Sequence, residues 1–170
     1  MHVTAIVLAA GAGRRVGGAM PKTFLPIAGR PLVLRTVDRM FSARTVADVV
    51  LVVAASELER CQAMLRADDA LRNRPWQLQT GGITRQQSAK RGLEKLGAET
   101  EIVIIHDGAR PFVSANLIDR CVESASDAAA EPERRMPAPT RMATMVSFAA
   151  AVHRRMRLLA PRPASVNAPN

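Results

Sequence analysis

The chain is predicted to fold as a doubly wound α/β protein with a mostly parallel, Rossmann-like sheet. Three observations carry this. Val3–Ala9, Val49–Ala54 and Ile102–Ile105 are continuous apolar runs, the pattern of strands covered on both faces. Helical segments lie between them, so strand and helix alternate up to about residue 129. Glycine turns or an Asp fall at or near the ends of these runs, at Gly11, Gly81-Gly82 and Asp107, where doubly wound sheets place their ligands.

In chain order, Val3–Ala9 is the first strand and runs directly into Gly11-Ala12-Gly13. Pro31–Phe41 reads as a helix, with Leu32, Val33, Val37 and Met40 near one face. Val49–Ala54 is the second strand. Ser56 with Glu59 has the spacing of a capping box for a helix through about Ala67. Trp76–Gln79 is a weaker strand, Arg85–Leu96 a helix and Ile102–Ile105 a strand. Ser114–Ala129 is a helix capped by Ser114. The predicted organisation is a nucleotide-binding α/β domain over residues 1–130 and an atypical tail over 131–170.

The tail holds six of the eleven prolines, and its seven Arg face two Glu. It predicts no strand and at most one helix, over Val146–Leu159. Two explanations of the tail stay open: a disordered segment, or translation in a shifted reading frame. Codons permitting Met142-Ala143-Thr144-Met145-Val146-Ser147-Phe148 also permit Asp-Gly-Asp-Asp-Gly-Ile-Val one base earlier.

Composition narrows the function. The net charge is +9, but more than half of the excess lies in residues 131–170, and aromatic residues make up 3% of the chain with no Tyr. Few platforms exist for stacking bases, so no nucleic-acid partner is expected. No run approaches the eighteen apolar residues of a membrane span, and no membrane partner is expected. Cys61 and Cys121 lie in separate predicted helices without CxxC spacing, which predicts reduced thiols and a cytoplasmic location. His2, His106 and His153 are scattered, so no zinc cluster is predicted.

The N-terminal turn suits a polyphosphate. Small residues at Ala10, Gly11 and Gly13 let backbone N–H groups approach an anion, while Arg15 and Lys22 supply fixed positive charge. Two familiar glycine signatures do not fit. A dinucleotide fingerprint needs a third glycine where Val16 stands, and an acidic residue where the second strand ends in Ser56. A P-loop needs Lys-Ser/Thr where Gly18 is followed by Ala19-Met20. Taken singly, each glycine pair could equally mark a plain turn, Asp107 a turn cap and Ser88 a solvated helix position.

With Gly81-Gly82-Ile83-Thr84-Arg85-Gln86-Gln87-Ser88 and His106-Asp107-Gly108-Ala109-Arg110-Pro111-Phe112 added, the chain resembles the 2-C-methyl-D-erythritol 4-phosphate cytidylyltransferase family. That family carries Leu-Ala-Ala-Gly-x-Gly-x-Arg, then Pro-Lys-Gln-Phe, Gly-Gly-x-x-Arg-Gln-x-Ser and His-Asp-Ala-Ala-Arg-Pro-Phe. Thr23 replaces the Gln and Gly108 the first Ala of the last motif. The match covers about residues 1–129.

The resemblance implies a sheet of the nucleotidyltransferase type, shortened relative to the family. It also implies transfer of CMP from CTP to a sugar-alcohol phosphate with loss of pyrophosphate, in non-mevalonate isoprenoid precursor synthesis. Arg15 and Lys22 would be catalytic, and Ala10, Gly11 and Gly13 would wrap the triphosphate. Gly82 and Ser88 would recognise the cytidine, and Asp107 would hold Mg²⁺, whereas Arg85 and Arg110 could be scaffolding. Alternatives within the resemblance are a ribitol-5-phosphate cytidylyltransferase and an inactive nucleotide-binding fragment. The family homodimer is expected without its dimerising arm, which this chain lacks.

Overall fold

The computed structural model describes residues 1–11, 20–130 and 142–145. The elements are β1 (Val3–Ala9), a short hairpin of β2 (Pro26–Ile27) and β3 (Arg30–Pro31), α1 (Leu32–Phe41) and β4 (Val46–Val53). They continue with α2 (Leu58–Ala67), β5 (Trp76–Thr80), α3 (Arg85–Glu94), β6 (Ile102–Asp107), α4 (Ala115–Ala130) and β7 (Met142–Met145).

Five strands form one sheet in the order β5-β4-β1-β6-β7, and every neighbouring pair is parallel. β1 is central and all seven of its residues are buried, which is why it reads as an unbroken apolar run. The period of two sorts its side chains between two cores. Val3, Ala5, Val7 and Ala9 face the layer containing Val33, Val37 and Met40 of α1, Leu65 of α2 and Ile118 of α4. Ile6 and Leu8 face the opposite layer, where Ala89 and Leu93 of α3 pack. The chain steps outward from β1 through β4 to β5, then crosses back over the sheet to β6. That reversal leaves the carboxyl ends of β1 and β6 at the switch point of the fold.

The hairpin turn places Ala28 (φ 48°) and Gly29 (φ 75°) both in the left-handed region, the backbone a tight two-residue hairpin needs. Arg35 steadies the strained turn by donating from Nε to the Ile27 carbonyl (2.8 Å) and from Nη2 to that of Ala28 (3.0 Å).

Two expectations need correction. Ser56 does not cap α2. It lies inside a 3-10 turn (Ala55–Glu57), and the helix starts after Glu57 without a side-chain cap. The capping box forms instead at α3, where extended Thr84 accepts from the Gln87 N–H (3.1 Å) and Gln87 Oε1 accepts from the Thr84 N–H (3.2 Å). The tail was expected to hold no strand, yet Met142–Met145 pairs with Ile102–Ile105 as a fifth strand. The helix expected at 146–159 lies outside the described residues. Ser114 does accept from the Leu117 N–H at the start of α4 (3.3 Å).

Both cysteines are free thiols. Cys61 is fully buried, and burial together with the nearby Glu57 pushes its pKa up to about 12. The thiolate is the reactive form. A thiol reagent at pH 8 is therefore expected to label Cys121 in the native protein and Cys61 only after unfolding. Equal native labelling rates, followed by mass spectrometry, would contradict this burial.

Candidate nucleotide site

Three loops converge at the carboxyl edge of the sheet. Leu8 of β1 is in register with Asp107 of β6, and the Gly108 N–H donates to the Leu8 carbonyl (2.8 Å). On the other side Ala9 pairs with Val53 and Val53 with Thr80, and the Gly81 N–H closes the ladder on the Val53 carbonyl (2.7 Å). The Ala10–Gly11 turn therefore stands between the Gly81-Gly82 turn and Asp107.

The approach of Gly81 to Ala10 explains its lack of a side chain. A Cβ built on Gly81 would lie 2.2 Å from the Ala10 Cβ and 2.9 Å from Ser88 Oγ. Next to it, an open cleft of about 580 Å³ is lined by Ala10, Ala54, Gly81, Gly82, Ile83 and Gln87, among others. Lys90 and Arg91 also reach its wall. Small residues at three strand ends thus leave room for a flat ligand, with Lys90, Arg91 and Glu94 at the margin.

Ser88 is buried, and its hydroxyl works on the loop above it. Its Oγ accepts from the Gly82 N–H (3.1 Å) and donates to the Thr84 carbonyl (3.0 Å). Gln87 Oε1 also accepts from the Ile83 N–H (2.9 Å), and Arg91 Nη1 donates to the Gly81 carbonyl (2.6 Å). Residues 81–84 are therefore held from beneath by the first two turns of α3. Ile83 is left 99% exposed at the tip of the loop.

Asp107 is partly buried, and both of its carboxylate oxygens are engaged. Oδ1 accepts from Arg85 Nε (3.2 Å) and Nη2 (3.0 Å), and Oδ2 accepts from Arg110 Nε (3.1 Å). His106, one residue earlier, points to the other face of β6 and is 1% exposed. Its Nε2 faces the Arg110 carbonyl at 3.0 Å, so that nitrogen carries the proton. Burial pushes this imidazole below its usual pKa, keeping it neutral. Thr36 of α1 fixes the same turn from below by donating to the Gly108 carbonyl (2.9 Å).

Of the residues expected to form the site, Ala10, Gly11, Gly82, Ser88 and Asp107 are brought to this one edge. Lys22 is exposed in a short 3-10 turn (Lys22–Phe24), anchored by the buried Phe24, whose ring lies 5.1 Å from the Arg60 guanidinium carbon. Among the described residues, no hydrogen bond or ion pair joins Lys22 to Asp107 or to the glycine loops. Gly13 and Arg15 lie outside the described residues. Sequence reasoning quoted Thr84, Gln87 and His106 within motifs but gave them no role, and it passed over Thr36. The Thr-x-x-Gln spacing ahead of α3 was the available signal for the first two.

Comparison with known proteins identifies the family. The family model described as 2-C-methyl-D-erythritol 4-phosphate cytidylyltransferase (IspD) matches residues 3–137. The enzyme of that name from Alkaliphilus metalliredigens is 35% identical over 123 residues, covering 72% of this chain and 51% of the relative. Its counterpart from Cereibacter sphaeroides is 39% identical over 133 residues, covering 76% and 57%. Among solved structures, 4-diphosphocytidyl-2C-methyl-D-erythritol synthase from Anaerococcus prevotii is similar, with a TM-score of 0.61 and 25% identity over 72% of this chain and 50% of that one. The chain spans about half the length of the curated relatives it matches. Family match and fold agree from the first strand through α4, and the chain belongs to the 2-C-methyl-D-erythritol 4-phosphate cytidylyltransferase family.

Proposed function

We propose that this chain is the nucleotide-holding part of a cytoplasmic cytidylyltransferase that moves CMP from CTP to 2-C-methyl-D-erythritol 4-phosphate and releases pyrophosphate. The observation that carries the reading is the meeting of Ala10, Gly81-Gly82 and Asp107 on one sheet edge beside an open cleft. Backbone N–H groups at Ala10, Gly11 and Gly13 are assigned to the triphosphate, and the Gly82 loop, set by Ser88, to the pyrimidine. Arg15 and Lys22 are assigned to offset the charge that grows on the equatorial and leaving oxygens as the acceptor phosphate attacks the α-phosphorus. Catalysis of this kind is mostly positioning and electrostatics, which suits a rigid strand-end site.

Asp107 supplies the carboxylate donor that Mg²⁺ needs, once one of the two guanidinium groups on it gives way. It is a hard oxygen donor at the switch point, and Mg²⁺ takes one or two carboxylates and completes its shell with substrate phosphates and water. When bound there, the ion would neutralise phosphate charge. No residue of this chain is assigned to the acceptor.

Calorimetry with Mg²⁺ and each of CTP, UTP, ATP and GTP tests the reading. CTP is expected to bind at least about tenfold more tightly than either purine nucleotide, the discrimination expected when a site's paired polar groups are met by one base only. Equal affinities would overturn it. A second reading, a binding piece without turnover, is favoured by the half-length coverage of the relatives. Pyrophosphate release with 2-C-methyl-D-erythritol 4-phosphate, compared with ribitol 5-phosphate, separates these cases.

A further inference from the structure

The two guanidinium groups on Asp107 are not equivalent. Arg110 belongs to the same turn: its N–H donates to the Asp107 carbonyl (3.1 Å), and its own carbonyl receives the His106 Nε2 proton (3.0 Å). Arg85 comes from another element, 22 residues away in sequence; the two side chains are similarly exposed (45% and 41%), so anchorage is what separates them. The Arg85 backbone is fixed by the Thr84–Gln87 capping box and by Ser88, so only the side chain needs to rotate to leave. Together the three side chains carry a net charge of +1, and each carboxylate oxygen is already occupied. A bare divalent cation meets a site that is both electrostatically wrong and sterically filled.

We propose that Arg85 is a latch on the metal position: its guanidinium competes with the divalent cation for Asp107 Oδ1, and the cation binds only as Arg85 lets go. The proposal rests on the reading of Asp107 as the metal ligand. Arg85 is then a positioning residue that keeps the carboxylate aimed and prevents the site from loading with metal alone. Its exposed contact is weak enough to break, as an ion pair in water should be. The released guanidinium stays tethered at the start of α3, beside the glycine loop.

The test is Mn²⁺ binding to this chain without nucleotide, read from the electron paramagnetic resonance signal of free Mn²⁺. Arg85→Gln is expected to bind Mn²⁺ about tenfold more tightly than the native chain, since a competing unit charge is removed. Arg85→Lys should fall between them, keeping the charge but losing the two-nitrogen contact. Asp107→Asn should abolish binding. Damage to the fold would weaken the site, so a gain in affinity is not a structural side effect, and near-UV circular dichroism of each variant checks the packing. If Arg85→Gln leaves the affinity unchanged while Asp107→Asn removes it, the latch is refuted and the ligand assignment stands. If Asp107→Asn binds as the native chain does, the ligand assignment itself fails.

Discussion

Replacing Asp119 with alanine is expected to cost about 2 kcal/mol, as loss of part-buried hydrogen bonds to a charged acceptor does. Asp119 sits in α4 and is 5% exposed. Its Oδ1 accepts from the Thr45 N–H (3.0 Å) and hydroxyl (2.8 Å), and Oδ2 from the Arg44 N–H (3.4 Å). These bonds pin α4 to the connection between α1 and β4, and alanine would leave all three donors without an acceptor. Burial alone would raise the Asp119 pKa, but the Thr45 and Arg44 hydrogen bonds and the Arg44 charge outweigh it and hold the carboxyl below the usual carboxylate range. A depressed folded-state pKa contributes stability that is fully present above the unfolded-state value and is lost as pH falls through the folded one. Urea titrations between pH 7 and pH 2.5 should therefore show a steeper acid loss in the native chain than in Asp119→Asn. Identical acid limbs would refute the assignment.

The second large effect is expected at the site. Gly81→Ala would drive a methyl group into the Ala10 Cβ, which can move only if the end of β1 moves with it. Overpacking of this sort costs about 2 kcal/mol, corresponding to roughly 8 °C in Tm for a domain of this size. The same displacement moves Ala10 and Gly81, which both line the cleft, so CTP affinity should fall by about tenfold or more. Thermal melts and calorimetry read the two losses separately. A variant with native Tm and native CTP binding would show that the close approach is not needed.

Much of the architecture was legible because the sheet is parallel and covered. β1 needs seven buried residues, so its sequence can hardly be anything but apolar. β4 begins three residues earlier than its apolar run, because Ala47 and Asp48 lie where the covering layer ends. The fifth strand was not legible: Met142-Ala143-Thr144-Met145 has no strand pattern, and its pairing with β6 is a tertiary effect. The capping box misled because Ser56 and Thr84 share one spacing. Only Thr84 has the extended backbone that an N-cap requires, whereas Ser56 is already inside a 3-10 turn.

The site divides in the same way. Glycines and Asp107 at strand ends could be placed from periodicity alone. The Arg85–Asp107 contact could not, because it depends on the first turn of α3 lying within side-chain reach of the end of β6, although β4 and β1 stand between β5 and β6 in the sheet. Ser88 shows the limit of motif reading: the motif gives its identity, but only the structure reveals that its hydroxyl acts through Gly82.

The position of β1 at the middle of the sheet also has a consequence for biosynthesis. β1 gains its flanking neighbours only when residues 46–53 and then 102–107 have followed it out of the ribosome. At typical elongation rates the interval between making Val3 and making Ile102 is roughly 5–20 s. Throughout that time a seven-residue apolar ribbon lacks at least one side of its eventual hydrogen-bonding partners. Nascent chains should consequently be held by chaperones until β6 is complete, and stalling translation before Ile102 should send the product to aggregates.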